Sequence, residues 1–190
     1  MPRPNLNNEK DSIKLNEIHE TGVNGFFRVL SSNLNNQNNL ADNKASTLIS
    51  INSILLTLII STLVKQANYF NNFEIPIFLL MGTTLAATIL AILVTRPTLK
   101  KAEITQELID EKKTTFLFFG NFSSLSLQDF EDTMLHIIKN EDYLYRSILA
   151  DFYGQGKVLE RKYRLLSHAY NIFLYGIIIS VILFSIFSLL

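Results

Sequence analysis

Apolar residues are concentrated in three uncharged blocks along this chain of 190 residues. The blocks cover residues 45–64, 75–95 and 169–190. Twenty residues of α-helix rise about 30 Å, which is the thickness of the hydrocarbon core of a bilayer. Buried helices of a soluble core are a poor alternative, because one small domain would have to bury all three blocks. The pattern therefore predicts three transmembrane helices.

The polar segments between these blocks also have helical patterns. Apolar residues in the range 11–34 follow roughly a 3.6-residue period, which predicts a helical segment within residues 1–44. Ser126 begins the sequence SLQD, a capping-box pattern with Asp in place of the usual Glu, which predicts a helix from about Leu127 to Lys139. A last helix is predicted from about Glu141, and it could run unbroken into the third block. The predicted fold class is all-α: three transmembrane helices with a small helical cytoplasmic domain.

The basic residues predict the orientation of the three spans in the membrane. Of the 17 Lys and Arg residues, only Lys65 falls in the connection 65–74. The others lie before the first block or between the second and third. Since cytoplasmic segments carry an excess of basic residues, residues 1–44 and 96–168 are expected in the cytoplasm. The connection 65–74 and the C-terminus are then expected on the outer side of the membrane.

Composition argues against an enzyme and against a metalloprotein. The chain has no Cys, and its three His residues lie far apart without a second ligand at metal-binding spacing. It contains no Gly-rich phosphate loop, no nucleophile elbow and no other catalytic motif. The formal net charge is zero, which gives no reason to expect nucleic acid as a partner. We therefore predict no catalytic residues, no metal ligands and no enzymatic activity.

Two polar clusters flank the predicted spans and are candidate ligand-binding sites. The first consists of Asp42, Asn43 and Lys44, just before the first block. Its alternative role is that of a helix flank, in which Asp42 caps the helix and Lys44 reaches lipid headgroups. The second cluster precedes the third block and consists of Lys157, Arg161, Lys162 and Arg164. It either binds a phosphate or anchors the chain to anionic headgroups, a contribution of about 1 kcal/mol per charge.

Hydroxyl side chains follow one face of the first predicted span, and Asn52 lies on a neighbouring part of its surface. This hydroxyl face consists of Ser46, Ser50, Ser53, Thr57 and Ser61. It either packs closely against other helices, as small residues do in membranes, or lines a pore or a water-filled seam in an oligomer, for which Asn52 is a further candidate. Two further pairs of small residues predict close helix packing in the other spans: Gly82 with Ala86, and Gly176 with Ser180.

Four segments, taken in order, resemble the transmembrane effectors of Pycsar, the bacterial pyrimidine-cyclase system of anti-phage defence. They are ADNKAS at 41–46 leading into a Ser/Thr-rich span, Arg96-Pro97 closing the second span, LFFGNFSSLS at 117–126, and DFYGQGKVLERKYRLL at 151–166. The resemblance covers about residues 35–190, and it rests on the order and spacing of these pieces.

This resemblance implies a protein of the bacterial inner membrane, with its C-terminus in the periplasm, that responds to cCMP or cUMP made by a partner pyrimidine cyclase during phage infection. It also implies impairment of the membrane and abortive infection, that is, death or arrest of the infected cell. The expected partners are membrane lipid, the cyclic nucleotide and further copies of the chain, and no cofactor is expected besides that ligand. The alternative function is that of a passive membrane adaptor or accessory subunit without ligand gating.

A cyclic nucleotide requires a cation for its phosphate and a flat apolar surface for its base. Among residues expected in the cytoplasm, the strongest candidates for the cation are Arg96, Lys157 and Arg161. The candidates for the flat surface are Phe118, Phe119 and Phe152.

Overall fold

The computed structural model describes residues 6–65, 73–97, 119–123 and 125–189. Five helices make up these ranges: α1 (Leu6–Lys65), α2 (Glu74–Thr95), α3 (Phe119–Phe122), α4 (Leu127–Lys139) and α5 (Glu141–Leu189). Three of them, α1, α2 and α5, contain stretches long and apolar enough to cross a membrane. No β-strand occurs in the ranges just given, and the predicted all-α fold class is confirmed.

Helices α1 and α5 extend far beyond their apolar blocks. With 60 and 49 residues, they are about 90 Å and 74 Å long at 1.5 Å per residue. The Asn-rich segment 33–39 does not interrupt α1, and neither Gly154 nor Gly156 interrupts α5. The prediction of one continuous helix from Glu141 into the third block is confirmed. Each of these helices therefore joins a polar segment rigidly to a membrane-crossing segment.

Six buried side chains form one packing layer at the end of the bundle where the first and third apolar blocks begin and the second ends. This boundary layer consists of Ala45 and Leu48 from α1, Ala91 and Val94 from α2, and Leu166 and Ala169 from α5. The layer holds the beginning of the first and third blocks and the end of the second, so α1 and α5 run parallel and α2 runs antiparallel to both. At the opposite end of the bundle, Phe73 stacks on Phe184 with ring centroids 5.8 Å apart. The three alanines bring the helix backbones close together.

Beyond the boundary layer, the polar parts of α1 and α5 continue side by side. We call this pair the stalk, residues 21–44 of α1 and 141–168 of α5. The ring of Phe27 stacks on Tyr145 and on Phe152, each with a centroid distance of 5.9 Å. Tyr145 and Phe152 lie two helical turns apart on one face of α5, so aromatic packing joins the two stalk helices.

Helix α4 packs on the first turn of α5. Its start is capped by Ser126, whose Oγ accepts a hydrogen bond from Asp129 N at 3.1 Å and donates one to Asp129 Oδ2 at 2.6 Å. The predicted helix over 127–139 is confirmed, including its N-cap. Ile137 of α4 and Tyr143 of α5 are both buried in the contact, and this burial raises the pKa of Tyr143.

Candidate functional site

An ion pair joins α1 to α5 just outside the boundary layer. Lys162 Nζ donates to both carboxylate oxygens of Asp42, at 2.8 and 2.9 Å. The two residues precede Leu166 and Ala45 by about one helical turn, which places the pair at the end of the apolar bundle. Their side chains are 17% exposed for Lys162 and 35% for Asp42. Partial burial strengthens the attraction between the two charges, and it makes the loss of either partner costly because the other charge would be left partly buried.

Two further hydrogen bonds flank this pair. The hydroxyl of Tyr163 donates to Gln37 Oε1 at 2.7 Å, and the hydroxyl of Tyr170 donates to the backbone oxygen of Lys44 at 3.3 Å. We call the six residues of these three contacts the clasp: Gln37, Asp42, Lys44, Lys162, Tyr163 and Tyr170. The clasp fixes α1 against α5 where the stalk meets the bundle.

The predicted basic cluster is divided by the geometry of α5. Lys162 faces α1, whereas Lys157, Arg161 and Arg164 are exposed on the outer side of the helix. Lys157 Nζ donates to Glu160 Oε2 at 3.0 Å within α5, and it lies 5.8 Å from the ring centroid of Tyr153. This hydrogen bond raises the pKa of Lys157 and lowers that of Glu160. Lys162 is thus the member of the cluster whose partner belongs to another helix.

The other polar candidates at the boundary point outward. Asn43 and Lys44 have exposed side chains, although Asp42 beside them is turned toward α5. Arg96 follows the last turn of α2 in extended backbone, and its N–H donates to Ile92 O at 3.0 Å. It is exposed and lies two residues beyond Val94 of the boundary layer, so its cation is on the same end of the bundle as the clasp.

The aromatic candidates have different outcomes. Phe152 is packed against Phe27 in the stalk, so its ring is already part of an interhelical contact. Phe118 lies outside the described residues, and so does the side chain of Phe119. The sequence patterns did not single out Gln37, Tyr163 and Tyr170 of the clasp, or Phe27 and Tyr145 of the stalk, as members of the site. The 3.6-residue period places Phe27 on the apolar side of its helix, but the period does not identify its partner.

The hydroxyl face of α1 points away from α2 and α5. Ser46, Ser50, Ser53 and Thr57 are exposed, and Ser61 is half-buried. Ser50, Ser53 and Thr57 each donate to the carbonyl four residues earlier in their own helix, at 3.0, 2.8 and 2.8 Å. The exposed part of the face therefore does not serve packing within the chain, and Ser50, Ser53 and Thr57 can face lipid because their hydroxyl donors are satisfied.

The placement of Asn52 beside the hydroxyl face is wrong: Asn52 lies on the opposite face of α1, in line with the buried residues Ala45 and Leu48. Its side chain is 0% exposed, and neither its nitrogen nor its oxygen has a hydrogen-bond partner among the described residues. Ser180 of α5 is also buried, and its hydroxyl has no partner. An unpaired primary amide inside an apolar bundle disfavours this packing of α1 by about 1–3 kcal/mol.

The two pairs of small residues also differ. Gly176 and Ser180 are buried on α5, which confirms the predicted packing role of this pair. Gly82 of α2 is exposed, and a Cβ placed on it would meet nothing within 4 Å. The prediction of close packing at Gly82 is wrong, because this side of α2 faces outward from the bundle.

Helices that cross a membrane, a charged clasp at the end of the bundle and a long polar stalk define an α-helical integral membrane protein. The chain matches the model of the Pycsar effector protein domain over residues 26–189, from the stalk through the third apolar block, and belongs to this family. It is a transmembrane effector of anti-phage defence, and the resemblance seen in the sequence is confirmed. Comparisons with curated proteins and with solved structures return no match.

Proposed function

We propose that this effector is switched by a cyclic pyrimidine nucleotide, cCMP or cUMP, made by a partner cyclase, and that the response impairs the membrane and arrests or kills the infected cell. The observation that carries this proposal is the family match over residues 26–189, which takes in the stalk and the membrane bundle together. A protein of this design needs no catalytic group, because its output is a change in the membrane.

The continuity of two helices supports coupling between ligand and membrane. Helices α1 and α5 run unbroken from the stalk through the clasp into the apolar blocks. A rotation or shift of one stalk helix against the other is therefore transmitted to its membrane segment, because a helix without a break behaves as a rod over this length.

The membrane lesion requires several copies of the chain. The boundary layer closes one end of the three-helix bundle with buried side chains of Ala, Leu and Val. A polar path across the bilayer must then form between chains, and the outward hydroxyl face of α1 is the surface suited to line it. We therefore propose a homo-oligomer in which these faces meet after activation.

The orientation follows from the basic residues and from the place where the ligand is made. The clasp and the stalk lie in the cytoplasm, the compartment of the cyclase product, and the connection 65–74 lies in the periplasm. In this arrangement the boundary layer lies at the cytoplasmic end of the bundle in the inner membrane.

Dye release from vesicles tests the proposed function directly. The purified protein is inserted into dye-loaded vesicles, and cCMP, cUMP, cAMP or cGMP is added. We expect release with one or both pyrimidine nucleotides and no change with the purine nucleotides. Nucleotide binding without release would instead favour an adaptor role, and the absence of both binding and release would refute activation by these ligands.

A further inference from the structure

We propose that Lys162 binds the phosphodiester anion of the activating ligand, which takes the place of Asp42 as the partner of the lysine. Asp42 then competes with the ligand for Lys162 and holds α1 in the resting bundle. The proposal deepens the proposed function and rests on it for the source of the anion. The restraint of α1 by Asp42 stands on the geometry of the clasp alone.

Lys162 differs from Lys157 and Arg161 because its partner, Asp42, belongs to another helix. A ligand shifts a conformational equilibrium only by as much as it binds the two states differently. An anion at Lys157 would exchange a contact within α5, where Glu160 is already the partner. The exposed side chain of Arg161 makes no contact with another helix in the described part of the chain, so an anion bound there would break none. An anion at Lys162 removes an ion pair between α1 and α5, and so it prefers the state in which that contact is open.

The exchange replaces one singly charged anion by another at Lys162. A phosphodiester presents two non-ester oxygens that share one negative charge, as the two oxygens of the Asp42 carboxylate do. Replacing one anion by the other leaves the partly buried ammonium of Lys162 paired, and the released Asp42 carboxylate, already 35% exposed, must be hydrated by water instead. The incoming anion has no covalent link to α1, however, and the restraint on that helix is lost. Asp42 is 35% exposed, which gives the ligand access from its side.

Helix α1 is also the helix with a reason to move once the clasp opens. Its buried amide, Asn52, has no hydrogen-bond partner among the described residues, and it gains one in an arrangement that turns it toward water or toward a polar group of another chain. Helices α2 and α5 are held by a close contact of Gly176 with Thr83 and by stacking of Phe73 on Phe184. Opening of the clasp is therefore expected to displace α1 from a pair that stays together.

A lipid headgroup offers the same phosphodiester chemistry as a cyclic nucleotide. The clasp lies at the end of the apolar blocks, where headgroups are found, so both sources reach Lys162. The two sources can be tested separately because the nucleotide is soluble and the headgroup is not. In one experiment the nucleotide is added at fixed lipid composition, and in the other the lipid headgroup is varied without nucleotide.

Two matched variants, each with one carboxylate neutralised, separate the loss of the clasp ion pair from the loss of a negative charge. Asp42→Asn and Glu160→Gln each remove a carboxylate that accepts a hydrogen bond from a lysine, but only the first contact joins two helices. The charge exchange Asp42→Lys with Lys162→Asp reverses the ion pair while keeping it. The distance between α1 and α5 is measured by spin labels on Thr47→Cys and Ser167→Cys, two exposed positions near the clasp in a chain that has no other Cys.

We expect Asp42→Asn to lengthen the label distance without ligand and to raise basal dye release by about tenfold, a typical size for an allosteric coupling. Glu160→Gln should leave both readouts as in the parent protein, and the charge exchange should return both to the resting level. An Asp42→Asn protein with the parent distance and the parent basal release would overturn the proposal. So would a charge exchange that is as leaky as the single variant, because pairing would then not be the restraint.

The source of the anion is decided with the parent protein in zwitterionic and anionic vesicles. If the nucleotide is the source, cCMP or cUMP lengthens the label distance in both, and the lipid alone does not. If anionic lipid lengthens the distance and neither nucleotide does, exchange at Lys162 is supported and the proposed nucleotide function is refuted. A nucleotide response that persists in Lys162→Gln would refute Lys162 as the binding residue while leaving the proposed function intact.

Discussion

Gly176 of α5 lies directly against Thr83 of α2, so closely that a Cβ built on residue 176 would fall 2.5 Å from the Cβ of Thr83. Only glycine fits this approach, because the neighbouring atom belongs to the rigid first segment of a side chain. The contact shows why small residues matter in a membrane bundle, where helices associate through close packing and not through a hydrophobic driving force.

Replacing Gly176 by Ala should separate α2 from α5. The added methyl group cannot be placed without a shift of one helix, and overpacking of this kind costs about 1–3 kcal/mol. We expect a lower midpoint of thermal aggregation in detergent, measured by size-exclusion chromatography. Gly82→Ala, at an open position, is the control and should not change the midpoint. Adding Thr83→Gly to Gly176→Ala should restore it, and no recovery would contradict the contact as the cause.

Replacing Asn52 by Leu should stabilise the resting bundle. The substitution removes two buried polar atoms that have no partner, a gain of about 1–3 kcal/mol. The measurement is unfolding by denaturant in detergent, with the exposed Ser53→Leu as the control on the same helix. If Asn52→Leu lowers the stability, the amide has a partner in the folded protein, such as bound water.

Replacing three hydroxyls of the outward face should prevent the membrane lesion without preventing insertion. Single interhelical hydrogen bonds in membranes contribute about 0.6 kcal/mol, so we combine Ser50→Leu, Ser53→Leu and Thr57→Leu. All three side chains are exposed and bonded to their own helix, so the resting fold should tolerate the change. We expect normal membrane levels and loss of dye release on activation.

The matched control for this triple variant is a conservative change on another exposed part of α1. Ile51→Leu and Ile54→Leu together leave the face apolar, and they should preserve dye release. A triple variant as damaging as the parent protein would move the lesion to another surface. Loss of the oligomer before activation would assign the hydroxyl face to assembly in the resting state.

Topology is tested by reporter fusions. The distribution of Lys and Arg predicts a cytoplasmic reporter when it is inserted near Lys112 and a periplasmic reporter when it is fused after Leu190. Alkaline phosphatase activity should therefore appear only with the second fusion. Activity at Lys112, or a cytoplasmic C-terminus, would contradict the predicted orientation.

Local patterns in the sequence locate the three membrane-crossing segments and α4, but they do not show that α1 runs unbroken from Leu6 to Lys65. The uncharged blocks predict the membrane-crossing segments, because apolar stretches of about twenty residues are long enough to cross the hydrocarbon core as helices. The SLQD sequence predicts the start of α4, because the contact of Ser126 with Asp129 spans three residues and needs no other part of the fold. The family resemblance is likewise visible in short segments and their order.

The tertiary structure alone decides which residues form the site. Asp42 and Lys162 are 120 positions apart in the chain. Their contact depends on how far α1 and α5 are shifted along each other and how each is rotated, and helical periodicity contains neither quantity. The same two quantities turn Lys162 inward and Arg161 outward, and bury Asn52 while the hydroxyl face stays exposed. They are set by the packing of Ala45, Ala91 and Ala169 in the boundary layer, where the shapes of three helices must fit at once.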